Sequence, residues 1–226
     1  MSIFALMSNE LKTKLYDVLS GKSEVRNGEA IQAITNYLRQ SQETSTDTKG
    51  TKLFKEQEKQ RLELFITRNE LWIENIDFTK YVSEGAEQKV YLKDSTSVLK
   101  LNDSIYYECW IDYFYNLLLH NYFFEDTAYK LIGFTKENNQ LFAVVEQNFV
   151  EMTQATDLNL VKDFLLSNGF ESIKNNDYVN NNIGIIIEDL HDENVLTRDS
   201  LLYFIDTVFF IKDKFWEKDK TTTNNG

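Results

Sequence analysis

Apolar residues recur at helical spacing from the start of the chain: Phe4, Leu6, Met7, Leu11, Leu15, Val18 and Leu19 form one stripe. Gly21 interrupts it, and Ile31, Ile34 and Leu38 begin a second, so residues 1–43 are predicted helical. The stretch Ser41–Lys52 (SQETSTDTKGTK) is polar without period and predicts a loop. A third helix is expected from Leu53 to about Trp72, with Leu62, Phe65 and Ile66 as its apolar contacts. The stripes are apolar on one side only, which places these helices as an extension packed outside the main core.

The period changes at Phe78. Residues 79–102 show short strand-like runs broken by Gly85 and by Lys93-Asp94-Ser95. Ser104 has the chemistry of an N-cap for an aromatic helix over Ile105–Phe123. Strands are predicted at Ala128–Thr135 and Gln140–Gln147, with Glu137-Asn138-Asn139 as the turn. Residues 79–147 therefore predict an antiparallel sheet with one helix on a face. A helix follows at Asp157–Asn168, closed by Gly169. Short apolar runs then alternate at Ile183–Glu188, Asn194–Leu196 and Leu201–Ile205, before Val208–Trp216 and a polar tail, Lys218–Gly226. The class is α+β with a helical N-terminal extension.

Composition narrows the partners. A hydrophobic share of 42% supports a real core, and 16 Phe and 12 Tyr must largely lie inside it. The net charge of −12, with no offsetting Lys/Arg block, argues against nucleic acid and anionic membranes. An acidic chain can still hold a nucleotide if a divalent cation bridges its carboxylates to the phosphates. The lone Cys109 reads as a small buried hydrophobe and excludes an internal disulfide or a cysteine zinc site. The first ten residues do not read as a signal peptide, and no run approaches the ~20 apolar residues of a membrane span. A reducing cytoplasm is expected.

The sharpest chemical feature is Asp189-Leu190-His191-Asp192-Glu193-Asn194. It follows one apolar run and precedes Val195-Leu196; Thr197–Ser200 then turns the chain into Leu201–Ile205, which ends on Asp206. Two apolar strands in a hairpin would bring Asp189, Asn194 and Asp206 together. Carboxylate and amide oxygens suit Mg²⁺, and a further carboxylate can take a proton from a hydroxyl nucleophile. His191 and His120 are read as structural. The mixed charges of Lys55, Glu56, Glu58, Lys59, Arg61 and Glu63 are read as an exposed helix face.

Asp189–Asn194 resembles the Asp-Leu-His-x-x-Asn loop of aminoglycoside-phosphotransferase-type kinases, and Ile205-Asp206 resembles their metal-binding strand. With SEGAEQKVY (Ser83–Tyr91), Val98-Leu99-Lys100-Leu101, LHNYFF (Leu119–Phe124), LIGF (Leu131–Phe134) and IEDLHDENVL (Ile187–Leu196), residues 53–216 are similar to the kinase-like domain of polyvalent proteins of phages and conjugative elements. The resemblance implies a two-lobed protein-kinase-like fold: helical extension 1–75, small lobe 76–147, reduced large lobe 148–217 and tail 218–226. It implies ATP and Mg²⁺ as cofactors and transfer of phosphate to a protein hydroxyl. A pseudokinase or interaction module, and a small-molecule phosphotransferase, stand as alternatives. Asp189 would be the base, Asn194 and Asp206 would hold Mg²⁺, and Lys100 would neutralise phosphate. Gly85 would let its loop approach the nucleotide. Val145-Glu146-Gln147-Asn148 would be the hinge that meets adenine. Glu108 or Asp112 would pair with Lys100, or Asp206 itself would take that place when no nucleotide is bound. Ile187-Glu188 stands where protein kinases place His-Arg, and the 20 residues after Asp206 leave no room for a full activation segment.

Overall fold

The structure is a computed structural model and describes residues 3–42, 52–85 and 88–217. Its first third is three helices, α1 (Ile3–Leu19), α2 (Glu29–Gln42) and α3 (Lys52–Arg68). Gly21 turns the chain between α1 and α2 with φ +73°, a conformation that favours glycine. The Gln32 side chain donates to the carbonyls of Val18 and Ser23, both at 2.8 Å, and so closes that turn. α3 stops four residues short of the expected Trp72. Glu70 takes a left-handed φ of +56°, and the chain then runs beside residue 134: Phe134 N–H donates to Leu71 O and Ile73 N–H to Phe134 O. Most of the expected loop Ser41–Lys52, namely residues 43–51, and the polar tail 218–226 lie outside the described residues.

Next comes a five-stranded antiparallel sheet of β1 (Tyr81–Glu84), β2 (Gln88–Leu92), β3 (Ser97–Asn102), β4 (Lys130–Glu137) and β5 (Gln140–Asn148), in the order β1-β2-β3-β5-β4. α4 (Trp110–Phe123) lies between β3 and β4 in sequence. The β4–β5 turn has Asn138 and Asn139 at φ +47° and +67°, the pair of positive values that a two-residue hairpin turn requires. Gly133 sits at an irregularity in β4, where a Cβ would stand 2.4 Å from Leu71 O. Neither backbone can yield cheaply there. Gly133→Ala is therefore expected to cost about 1–3 kcal/mol, read as a lowered denaturant midpoint; an unchanged midpoint would show that the segments are not in close contact.

The aromatic helix begins later than its sequence suggests. Ile105–Cys109 is a turn, and Ser104, buried with φ +56°, is no N-cap; its Oγ has no partner among the described residues. The reason is tertiary. Lys55 of α3 donates to the carbonyls of Ser104 and Tyr107 at 2.6 and 2.7 Å. The buried Glu58 carboxylate, one turn on, accepts the Trp110 N–H at the first turn of α4. A carboxylate there also meets the positive end of the helix dipole. Lys55 and Glu58 thus clamp the β3–α4 connection instead of facing solvent with the rest of their helix's charges. Burial pulls the Lys55 pKa down, with nearby carboxylates opposing it.

The remainder holds α5 (Leu158–Ser167), started by an Asp157 side chain that accepts the Asn159 N–H at 2.9 Å. A four-stranded antiparallel sheet follows, ordered β11-β8-β7-β6 from β6 (Glu171–Ser172), β7 (Tyr178–Asn180), β8 (Ile185–Glu188) and β11 (Val208–Ile211). The hairpin β9 (Val195–Arg198) and β10 (Leu201–Phe204) is inserted between β8 and β11, and α6 (Asp213–Trp216) ends the described chain. The molecule is thus mixed α+β with antiparallel sheets. α4 is almost wholly buried, and one continuous core joins Leu15, Ile31 and Leu62 of the first three helices to Phe114, Phe134, Ile187 and Phe215. Each such side chain contributes about 1.5–3 kcal/mol by burial, so α1–α3 are integral to that core. Among the described residues, no helix is long and apolar enough to cross a membrane.

Candidate functional site

β8 delivers the chain to Asp189 from the middle of the four-stranded sheet. Leu190, with no exposed surface, pins the next position in the core. Asp189 is held at φ +66°, in the left-handed region. Aspartate tolerates that region better than most side chains, and such backbone concentrates at functional sites. Its N–H donates to the Asp177 carboxylate at 3.1 Å. The loop closes on His191, whose carbonyl accepts from the N–H groups of Asn194 and Val195, each at 3.0 Å. Glu188, just before, has its pKa raised, first by burial and then by the charge of Asp177.

Asn194 and Asp206 stand at the two open ends of the β9–β10 hairpin. Asp199 and Ser200, at φ +51° and +65°, make its tight turn and set the register Val195 to Phe204. The Asn194 carbonyl accepts from Ile205 N–H at 2.9 Å and Asp206 N–H at 3.3 Å. The Asn194 amide donates to the Asp189 carboxylate at 2.9 Å and its carbonyl at 2.8 Å. His191 Nε2 lies 3.3 Å from the same carboxylate. The structure therefore brings Asp189, Asn194 and Asp206 into one cluster. The amide nitrogen of Asn194 points at Asp189, which leaves its side-chain oxygen for another partner.

Lys100 reaches this cluster from β3. Leu99 and Leu101 turn to the opposite face of the sheet, with Tyr91, Phe142 and Val144. The Lys100 side chain is buried; its Nζ donates to Ile205 O at 2.8 Å and lies 3.7 Å from the Asp206 carboxylate. Burial lowers its pKa, and Asp206 opposes that shift. The carboxylate beside Lys100 is thus Asp206. Glu108 is exposed in the turn before α4, displaced there by the clamp on that turn, and Asp112 accepts from the Cys109 thiol at 3.0 Å. Gln88, at the start of β2, also donates to Asp206. The Tyr129 hydroxyl donates to Ile205 O at 2.9 Å, and His120 lies behind it with its ring 4.5 Å from the Tyr129 ring.

The remaining expected positions belong to the five-stranded sheet and its β1–β2 turn, and Gln147 meets Tyr129 beside the cluster through a side-chain hydrogen bond. Gly85 follows β1, and a Cβ there would touch no other described residue; Ala86 and Glu87 lie outside the described residues. Glu146 and Gln147 are inside β5, where they pair in register with Leu99 and Val98 of β3. Their strand pairing makes them ladder residues. The Glu146 carboxylate pairs with Lys93 at 2.6 Å, and buried Gln147 donates to Thr127 O at 2.7 Å. The connection out of the sheet begins later, at Phe149. A cavity of about 480 Å³, lined by residues 123–127, Phe164 and residues 200–204, includes none of Lys100, Asp189, Asn194 or Asp206.

The cluster offers an amide oxygen and a carboxylate on neighbouring strand ends, a second carboxylate one hydrogen bond away, and a buried ammonium. The family described as serine/threonine/tyrosine kinase found in polyvalent proteins matches residues 55–213, well over half of the chain. The chain belongs to that family. No curated protein and no solved structure matches it. In this member of the family the sequence pointed to Asp189, Asn194, Asp206 and Lys100, but not to Gln88, Tyr129, His120 or Thr207, which surround them. Gln88 lay inside the SEGAEQKVY run. The other three lay in apolar runs, where core packing was the simpler reading.

Proposed function

We propose that this chain is a two-lobed kinase that binds ATP with Mg²⁺ and transfers phosphate to a protein hydroxyl. The observation that carries the reading is the convergence of Lys100, Asp206, Asn194 and Asp189 from three different sheets onto one cluster. Residues 76–147 are the small lobe and 148–217 a reduced large lobe, with Phe149–Thr156 as the connection between them. When bound, ATP with Mg²⁺ supplies the phosphoryl group and part of the charge that stabilises its transfer. Asn194, through its free amide oxygen, and Asp206 would hold the metal. Lys100 would stabilise phosphate charge from a dry position, where an ammonium acts most strongly. Asp189, more exposed than the others, would orient an acceptor hydroxyl and take its proton. The family description favours Ser, Thr or Tyr as acceptor over a small molecule.

The test is transfer of label from γ-labelled ATP, with Mg²⁺, to the chain itself and to a mixed Ser/Thr/Tyr peptide pool. Label is expected on hydroxyl side chains, and Asp189→Asn should reduce it by about 10²-fold or more, the scale of losing a general base. Tight Mg-ATP binding without any transfer would replace this reading with that of an interaction module.

A further inference from the structure

We propose that His120 is a positioning residue: it ties the segment that carries Asp206 to α4 through a hydrogen bond with Thr207. The inference rests on the reading of Asp206 as a metal ligand. Chain groups bracket that residue on both sides. Phe204 O accepts from Thr127 Oγ1 at 2.6 Å, and Ile205 O accepts from Lys100 and Tyr129. Beyond Asp206, Thr207 Oγ1 meets His120 Nδ1 at 2.7 Å, and Phe209 N–H donates to Asn116 Oδ1 at 2.8 Å. Asn116 and His120 are one turn apart on α4 and both buried, so one helix face grips the chain just after Asp206.

The partners fix the tautomer. His120 Nε2 lies 3.1 Å from Thr127 O, a carbonyl that can only accept, so Nε2 carries the proton. Nδ1 is then an acceptor, and the Thr207 hydroxyl donates to it. A charged imidazolium could not accept that bond, and it would stand close to the buried Lys100 ammonium. Burial and Lys100 together hold the His120 pKa down to about 3, in keeping with this arrangement. The helix therefore reaches the site through a neutral ring acting on Thr207, while Lys100 takes its carboxylate from Asp206.

The experiment uses the full chain and its Thr207→Val, Thr207→Ser and His120→Phe variants. Thr207→Val keeps side-chain volume and deletes the hydroxyl, so it serves even where His120→Phe fails to fold. One arm involves no nucleotide. Nitrogen NMR should report an Nε2-protonated His120 in the native chain. Amide exchange at 205–207 should speed up about tenfold in Thr207→Val, the scale of one buried hydrogen bond, while β8 amides hold their native rates and Thr207→Ser restores protection. In the second arm a non-hydrolysable ATP analogue is titrated with and without Mg²⁺. Thr207→Val should lose about tenfold of the metal-dependent gain in affinity and leave metal-free affinity unchanged. Native exchange and native metal dependence in Thr207→Val would overturn the proposal. A native chain that shows the first-arm result but binds no nucleotide would instead sink the proposed function and leave the tie standing.

Discussion

Replacing Lys100 with Met is expected to reduce phosphoryl transfer by roughly 10²–10³-fold, the scale of losing one preorganised charge-stabilising donor, without unfolding the chain. Lys100 has only 4% of its surface exposed, and one carboxylate beside it. Desolvation already works against its charge. Met fills a similar volume and removes that penalty, and apolar replacements of buried ions are often neutral or stabilising. Two readouts must therefore diverge: transfer collapses while the melting temperature holds or rises. Full activity in the Lys100→Met variant would remove Lys100 from the mechanism. A large fall in stability would mean that the ammonium is a structural strut holding Ile205.

The second large effect is expected from Asp206→Asn. It removes the carboxylate proposed to hold the metal and also takes the carboxylate from Lys100. Breaking a buried pair from one side costs several kcal/mol, but the Asp206 side chain is 30% exposed, so roughly 1–3 kcal/mol is expected. The pH dependence gives a sharper signature. Lys100 has a folded pKa below its unfolded value, so between the two the unfolded chain binds more protons and stability rises with pH. Asp206 is what opposes that shift, so its removal should lower the folded pKa further and extend the rising slope toward neutral pH. Urea midpoints of native chain, Asp206→Asn and Lys100→Met across pH 6–9 test this. The slope should be steepest in Asp206→Asn and weakest in Lys100→Met; equal slopes in all three would rule out the pairing.

The site was legible where chemistry and local order coincide. Asp189, Asn194 and Asp206 are spaced by a loop and a hairpin, and polar residues at the ends of apolar strands can be read one after another. Lys100 was legible because it interrupts an apolar strand. The start of α4 was not, because it is set at long range: Lys55 and Glu58 compete for the carbonyl and amide groups that an earlier helix start would use. Those two residues looked like any exposed helical charges, and nothing local distinguishes a lysine that bonds carbonyls fifty residues away. For Lys100 the sequence left open a carboxylate near the start of α4 or Asp206 itself, and the fold brings Asp206, over a hundred residues on, to that position. The strand itself was legible to Gln147; the hinge was set at Val145–Asn148, whereas pairing with β3 continues through Asn148.

Whether Asn194 and Asp206 form, with Lys100, a site for metal and nucleotide is tested by a crystal structure of the full chain with a non-hydrolysable ATP analogue and Mg²⁺. A metal is expected at about 2.1 Å from the Asn194 side-chain oxygen and from an Asp206 carboxylate oxygen, with Lys100 Nζ turned from Ile205 O to a phosphate. A nucleotide bound away from these residues, or a metal that ignores both Asn194 and Asp206, would contradict it.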